Sequence, residues 1–531
     1  MSATSGPVPV PALAPEPAGG GRRSLRPGIP DVLTPAAGRL LRLELRRNAM
    51  MWMVPLALLA FWLDTYRSSM ALSPLWSSRT LILRQGAAVD DFAPFAVGAA
   101  AWVGGRDRRR GVVEQVDITP LPRWAGRLAT WGATTGWALG AYLACVGFLY
   151  GAIAWKGAAG SPPWWPVVVG AVALVACSSL GFALGVLVPS RFTAPLVAVV
   201  TALALRQTLR SGGRYVLLSP VASPAYSLAP PKADAGVFYP YLPDLSLTQL
   251  VFLSGLAVAA VGVLGVQAVC GRPGLRSLAA GVVAMGLASC GTAVALIGSA
   301  RVEANGVVVS ALHDAADDRP LSYVPVCGGM TIQVCLHPVY RAYLPTLTTA
   351  LDPLLREVAG LPGAPVRLDQ VALTDGRSPL AEATMTGAPP VLHLALNIGY
   401  DGAMWVGPIP AGKVPPGQCC TSQQMWTSVP HVTAQVLPTV AGTVLDRLVG
   451  HNGQAQQAVL EGVLRAAGVS LDSTSFFAQV DGSQIVLPPP GTPAYAAGER
   501  FAALPPAERH TWLTAHLTEL RSGHITLEEL P

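Results

Sequence analysis

The first 299 residues alternate long apolar blocks with short charged connections. Within the blocks, charge nearly vanishes for about 20 residues at a time, the length an α-helix needs to cross hydrocarbon. The pattern predicts seven spans, at 49–66, 88–104, 128–154, 165–188, 192–208, 246–269 and 277–299. The second and fifth are the least apolar: one begins with Asp90 and Asp91, the other ends at Arg206. Upstream, residues 1–37 are rich in Pro, Gly and Ala without periodicity, which predicts a disordered tail. No apolar core follows within that length, so it does not read as a secretory signal.

Residues 38–48, GRLLRLELRRN, have a helical pattern. At 3.6 residues per turn Arg39, Arg42 and Arg46 share one face, with Arg47 beside them. Leu40, Leu41 and Leu45 lie on the other face, with Glu44 among them and Leu43 misplaced. This predicts an interfacial helix with leucines at the acyl boundary and arginines at the headgroups. A basic cap on the first span is the simpler alternative.

After residue 300 the pattern changes. Short alternating or β-branched runs (VVVSAL, MTIQVCL, APVRLDQVAL, PVLHLALNI) predict strands. Between them lie amphipathic helices. One carries Leu344, Leu347, Leu351, Leu355 and Val358 at intervals of three and four, and others are expected near 430–449, 453–467 and 505–521. Uneven interleaving of strands and helices predicts an α+β domain over 300–531, long enough for its own core.

Composition agrees with the blocks. The 531 residues are 51% hydrophobic and 12% charged, against about 25% charged in soluble proteins. Mean hydropathy is +0.44. The first 299 residues hold 24 Lys and Arg against 11 Asp and Glu, and the remainder 12 against 19. A basic membrane half with an acidic tail points to two compartments rather than to nucleic-acid binding. The arginines set the expected orientation. Arg39, Arg42, Arg46 and Arg47, then Arg106, Arg108, Arg109, Arg110, Arg123 and Arg127, and later Arg191, Arg272 and Arg276, mark cytoplasmic segments. The N-terminus is then cytoplasmic and, with seven spans, residues 300–531 lie outside. Arg67, Arg79 and Arg84, in an expected outer loop, run against the rule.

Several spans carry small residues at helical spacing: Gly132, Gly136 and Gly140 on one ridge, Gly181 and Gly185 on another. Such ridges let helix backbones approach closely in lipid, so the spans are expected to form a bundle. Cys145, Cys177, Cys270 and Cys290 fall in spans and read as small hydrophobes. In the tail, Cys327, Cys335, Cys419 and Cys420 can pair in an oxidising compartment. A hairpin turn at Gly328-Gly329 would separate Cys327 from Cys335 along their strands, so bonds from these two to Cys419 and Cys420 are expected. Four free thiols are the alternative.

Catalytic patterns are sparse. GPIPAGKV at 407–414 has the spacing of a phosphate-binding loop, but Val414 replaces the hydroxyl that holds magnesium, and Pro408 and Pro410 remove amides. It reads as an ordinary loop. All eight histidines lie after residue 300. His431 opens HVTAQVL, where Val432 and Gln435 occupy the places a zinc peptidase needs for Glu and His. No metal or cofactor is expected on this chain.

The best functional candidate is the charged connection at 104–127, GGRDRRRGVVEQVDITPLPRWAGR. A basic run is followed by a short apolar-acidic stretch and two prolines. A turn of helix here, lying along the membrane face, could dock into a groove on a cytosolic protein. A purely topogenic loop is the alternative.

This layout resembles the permease subunits of ATP-binding-cassette transporters, in the type-2 branch. Those begin with an interfacial helix, matched by GRLLRLELRRN, and carry a basic, glycine-marked coupling loop between the second and third spans. The resemblance covers roughly 38–269. It places Arg106, Arg108, Arg109, Arg110, Gly111, Glu114 and Asp117 before and within a coupling helix, and Pro120, Pro122 and Arg123 on the way into the third span. An outer loop at 209–245 matches a further family habit. Val112 departs from the small hydroxyl residue often found there, and a seventh span and large outer domain are added to the usual six.

The resemblance implies a plasma-membrane exporter subunit that pairs with a separate ATP-binding subunit, the partner carrying ATP and Mg. It also implies a homodimer, or pairing with a second permease. The expected architecture is a polytopic α-helical membrane protein of about seven spans at 49–299, plus the extracytoplasmic α+β domain. The rival reading is a membrane-anchored extracytoplasmic enzyme or sensor acting through 300–531.

Overall fold

The computed structural model describes residues 35–111, 123–210, 213–221, 236–268, 273–303, 306–329, 331–372, 381–396, 432, 436–469, 478–480, 483–485 and 487–531. The chain is predominantly helical, with a smaller sheet-containing region after residue 300. Helix α1 spans Pro35–Arg47 and α2 Ala49–Phe61, the latter prolonged by a π-helical turn (Trp62–Tyr66) and Arg67–Ala71. Then come α3 (Ala87–Gly104), α4 (Arg123–Trp155), α5 (Trp165–Leu187), α6 (Thr193–Arg210), α7 (Asp244–Ala268) and α8 (Pro273–Gly298).

Five helices are long and apolar enough to cross a bilayer: Ala49–Ala71, Trp124–Trp155, Trp165–Leu187, Asp244–Ala268 and Gly274–Gly298. The fold is consistent with a helical membrane protein. Of the seven predicted spans, the two weakest, α3 and α6, fall short of that standard. Both nevertheless fold as helices packed against the others. The reason is where α3 lies. It packs against α2, α4, α5 and α6, and Val89, Phe92, Ala93, Ala96, Val97, Ala100 and Ala101 are all buried. A helix enclosed by helices needs less apolar surface than one facing lipid. Its acidic residues also find partners: the Thr65 hydroxyl donates to Asp91 at 2.7 Å, and Asp90 lies 3.4 Å from Arg206.

Helix α3 comes close to α5 because Gly181 and Gly185 carry no side chain. A Cβ at Gly181 would lie 2.3 Å from the Val97 carbonyl oxygen, and one at Gly185 2.1 Å from that of Ala101. On α4, by contrast, a Cβ at Gly132, Gly136 or Gly140 meets nothing within 4 Å, so that ridge faces away from the other helices. A pair that spacing did not reveal, Gly255 and Gly286, joins α7 to α8; a Cβ at Gly255 would lie 2.7 Å from the Gly286 carbonyl oxygen.

Of the three arginines that ran against the orientation rule, Arg79 and Arg84 are folded inward, whereas Arg67 is exposed. Arg79 is 3% exposed and donates from Nε to the Leu72 carbonyl. Arg84 donates to the Ser77 carbonyl at 2.7 Å and lies over the Tyr241 ring. Neither acts as a freely solvated charge.

After α8 the chain forms an antiparallel hairpin, β1 (Ala300–Glu303) and β2 (Gly306–Val309). The larger sheet contains β3 (Val326–Gly328), β4 (Gln333–Leu336), β5 (Arg367–Val371), β6 (Ala381–Thr386) and β7 (Val391–Leu396), in the order β3-β4-β5-β7-β6. Its three central strands are parallel and its edges antiparallel. A two-stranded piece follows, β8 (Ala478–Val480) with β9 (Ser483–Ile485). The helices of this region are α9 (Leu344–Val358), α10 (Leu437–Val449), α11 (Gln454–Ala466), α12 (Pro493–Ala503) and α13 (Pro506–Arg521). They share one core with the sheet, in which Leu347, Leu351, Leu368, Leu394, Val440, Val459, Phe501 and Leu513 are at most 1% exposed.

The cysteine expectation is overturned. Cys327 and Cys335 form a disulfide with each other, with Cα atoms 4.0 Å apart. Gly328 does not turn the hairpin, because it still pairs with Val334, and the connection spans 329–333. The register therefore sets the two cysteines directly opposite. They are not bonded to Cys419 or Cys420, which lie outside the described residues, as do Cys270, the phosphate-loop near-miss at 407–414 and His431. Cys145, Cys177 and Cys290 are free thiols in the helical region.

Candidate coupling junction

The basic segment begins where α3 ends. Gly104 and Gly105 bring that end against α5: a Cβ at Gly104 would lie 2.6 Å from the Phe182 carbonyl oxygen, and one at Gly105 2.9 Å from that of Gly185. Arg106–Arg109 then form a single helical turn, and three of its arginines are bound to different parts of the molecule.

Arg106 reaches α1. Its Nη2 donates to Glu44 Oε1 at 2.8 Å and its Nη1 to Oε2 at 3.1 Å. This fork-to-fork geometry fixes orientation as well as supplying energy. The Glu44 hydrogen bonds, outweighing burial, push the Arg106 guanidinium above its ordinary value. Glu44 is 8% exposed, so the acidic residue that interrupted the leucine face of α1 is the residue that faces the helices. Arg108 donates to the Val186 carbonyl at the end of α5 at 3.3 Å. Arg109 folds back on α3, its guanidinium 4.3 Å from the centre of the Trp102 ring while it donates to the Trp102 carbonyl. Burial, and secondarily Arg110, lower its pKa. Cation–π contacts of this kind contribute about 0.5–2 kcal/mol. Arg110 and Gly111 are exposed, and Gly111 takes the left-handed φ of 67° that turns the chain away.

Helix α1 is seated by residues that periodicity alone did not single out. Trp137 of α4 donates from its indole to the Leu45 carbonyl at 2.7 Å. Asn48 caps α2, its Oδ1 accepting from Met50 N at 2.9 Å, while its Nδ2 donates to Thr134 Oγ1 at 2.9 Å. One side chain thus sets both the bend between α1 and α2 and their register on α4. Asn directly before an apolar run is an N-cap signal visible in the sequence, whereas nothing in the sequence marked Trp137 or Thr134. Arg39, Arg42, Arg46 and Arg47 are exposed.

Of the residues expected to form the coupling loop, the structure brings Arg106, Arg108 and Arg109 together with α1, α3 and α5, and leaves Arg110 and Gly111 on the surface. Glu114, Asp117, Pro120 and Pro122 lie outside the described residues, and Arg123 opens α4. Among the described residues, no group of three or more His, Cys, Asp or Glu could hold a metal ion. No protein-family model, no curated protein and no solved structure matches the chain.

Proposed function

We propose that the protein is the membrane permease subunit of an ATP-driven ABC exporter, with the junction at 104–127 receiving force from a separate cytosolic ATP-binding subunit. One observation carries the reading: the basic turn is bonded to three elements at once. Arg106 holds α1, Arg108 holds α5, and the turn is continuous with α3, the most enclosed helix of the bundle. A push on the adjoining 112–122 segment would reach all three. The resemblance described above supplies the class of partner. The inward folding of Arg79 supports the orientation, because a buried arginine is not a topogenic charge like the exposed Arg39, Arg42, Arg46 and Arg110. In this reading the N-terminus is cytoplasmic, the sheet domain is extracytoplasmic, and ATP and Mg belong to the partner. Two permease copies, or this chain and a second permease, line the path.

The test is co-purification. The tagged chain, isolated from its native membrane in mild detergent, is expected to bring down an ATP-hydrolysing protein. Arg110→Glu, at an exposed position, should abolish that association while leaving the melting temperature unchanged. Absence of any ATP-hydrolysing partner, or undiminished association of the variant, would contradict the proposal.

A further inference from the structure

Between α8 and the sheet domain the chain folds its hairpin back onto the start of α7. Asp244, the first residue of α7, is wholly buried. Its Oδ2 accepts the Val309 N–H at 2.9 Å and lies 3.3 Å from Nδ1 of His313. The other ring nitrogen of His313, Nε2, lies 3.0 Å from Oδ2 of Asp318, at the end of the 3₁₀ turn Ala315–Asp318. The His313 side chain is 12% exposed.

Both ring nitrogens therefore face carboxylate oxygens. An ionised carboxylate only accepts hydrogen bonds, so Nε2 carries a proton toward Asp318, and a second proton on Nδ1 sets an imidazolium charge 3.3 Å from the buried Asp244 carboxylate. The pKa of His313 is raised, first by the hydrogen bond it donates to Asp318 and then by the charges of Asp318 and Asp244. The remaining charged groups nearby are engaged otherwise or belong to the hairpin. Asp314 caps the 3₁₀ turn by accepting from Ala316 N, Asp317 lies within that turn, β1 carries Arg301 and Glu303, and Arg214 donates to the Gly298 carbonyl. Among the described residues, His313 is the one cation paired with Asp244.

We propose that His313 is a proton-operated clasp: as imidazolium it ties the connection to the sheet domain, residues 306–318, onto the mouth of α7, and on losing its proton it lets that connection go. Deprotonation would turn one ring lone pair toward a carboxylate oxygen and leave the buried Asp244 charge with the Val309 amide alone. The sign follows from a raised folded-state pKa. The clasp is complete below the unfolded-state value and is lost as pH rises through the folded one.

Hydrogen exchange on the full-length protein in detergent, corrected for intrinsic rates, tests this over about pH 6 to about pH 9. Amides of 306–318 should lose protection through one transition as pH rises, while α7 and α8 stay protected. His313→Gln should remove the transition. Asp318→Asn, a milder change at a half-exposed side chain, should shift it to lower pH. Protection of 306–318 that is independent of pH in the unaltered protein, a step retained in His313→Gln, or an unshifted step in Asp318→Asn would overturn the clasp.

Discussion

At the scale of single residues, Glu44 shows what one-dimensional patterning leaves out. By periodicity it is a flaw on the leucine face of α1. Its partner Arg106 lies 62 residues away in sequence, and only the fold joins them. With side chains 10% and 28% exposed, the pair lies between a surface salt bridge and a buried one. A double-mutant cycle of Glu44→Gln and Arg106→Gln should give a coupling energy of about 1–2 kcal/mol, measured by thermal or denaturant unfolding in detergent. Gly185 carries a sharper expectation. Gly185→Ala forces a Cβ into the Ala101 carbonyl and should cost about 1–3 kcal/mol, whereas Gly140→Ala, with open space around it, should change stability by less than about 0.5 kcal/mol.

His337 is the counterpart of His313 with the opposite sign. It follows β4, is 7% exposed, and packs against Phe238 and Tyr323. Its Nδ1 accepts from Val339 N at 3.2 Å, which requires that nitrogen to be unprotonated. Burial lowers its pKa from 6.5. A depressed histidine leaves the unfolded chain binding more protons, so the stability of the sheet domain should fall as pH drops through 6.5 toward the lower folded-state value. Thermal melts between about pH 7 and about pH 5 should show this decline, and His337→Gln should flatten it.

At the scale of elements, legibility followed the strength of the period. The heptad-like leucines at 344–358 mark α9, and the expected helices near 453–467 and 505–521 correspond to α11 and α13. Four apolar runs contain β2, β4, β5 and β7. The strands that escaped notice are short or lie at edges: β1 has four residues, β3, β8 and β9 have three each, and β6 reads AEATMT, too polar to announce itself. The span at α3 was faint because that helix is enclosed by other helices and carries an Asp pair. Of the junction, the arginines were visible as a cluster, but which of them bind structure and which remain free was set by contacts with α1 and α5. The disulfide failed for a local reason: a run of two glycines suggested a tight turn, and the strand pairing continued past it. Tryptic digestion without reductant should yield one peptide, 302–341, because the Arg319-Pro320 bond resists trypsin, and it should lack the two thiol hydrogens. Reduction of this bond should destabilise the sheet domain by about 2 kcal/mol.

At the scale of the whole molecule, the helices and the sheet domain hold separate hydrophobic cores. The largest helical core is organised around α3, and the core of the sheet domain draws in Leu75, Val237 and Phe238 from the connections between helices. In the proposed function the junction of α1, α3 and α5 takes up the ATP-driven push, and the sheet domain stands at the far end of the helices. The central claim is that the basic turn and the sheet domain face opposite compartments, the turn toward the ATP-binding partner. Single cysteines introduced by Arg110→Cys and Glu508→Cys, both at exposed positions, test this in intact cells with a membrane-impermeant maleimide. The account predicts that Glu508→Cys is labelled from outside and Arg110→Cys only after the membrane is permeabilised. Labelling of both positions from the same side would contradict it.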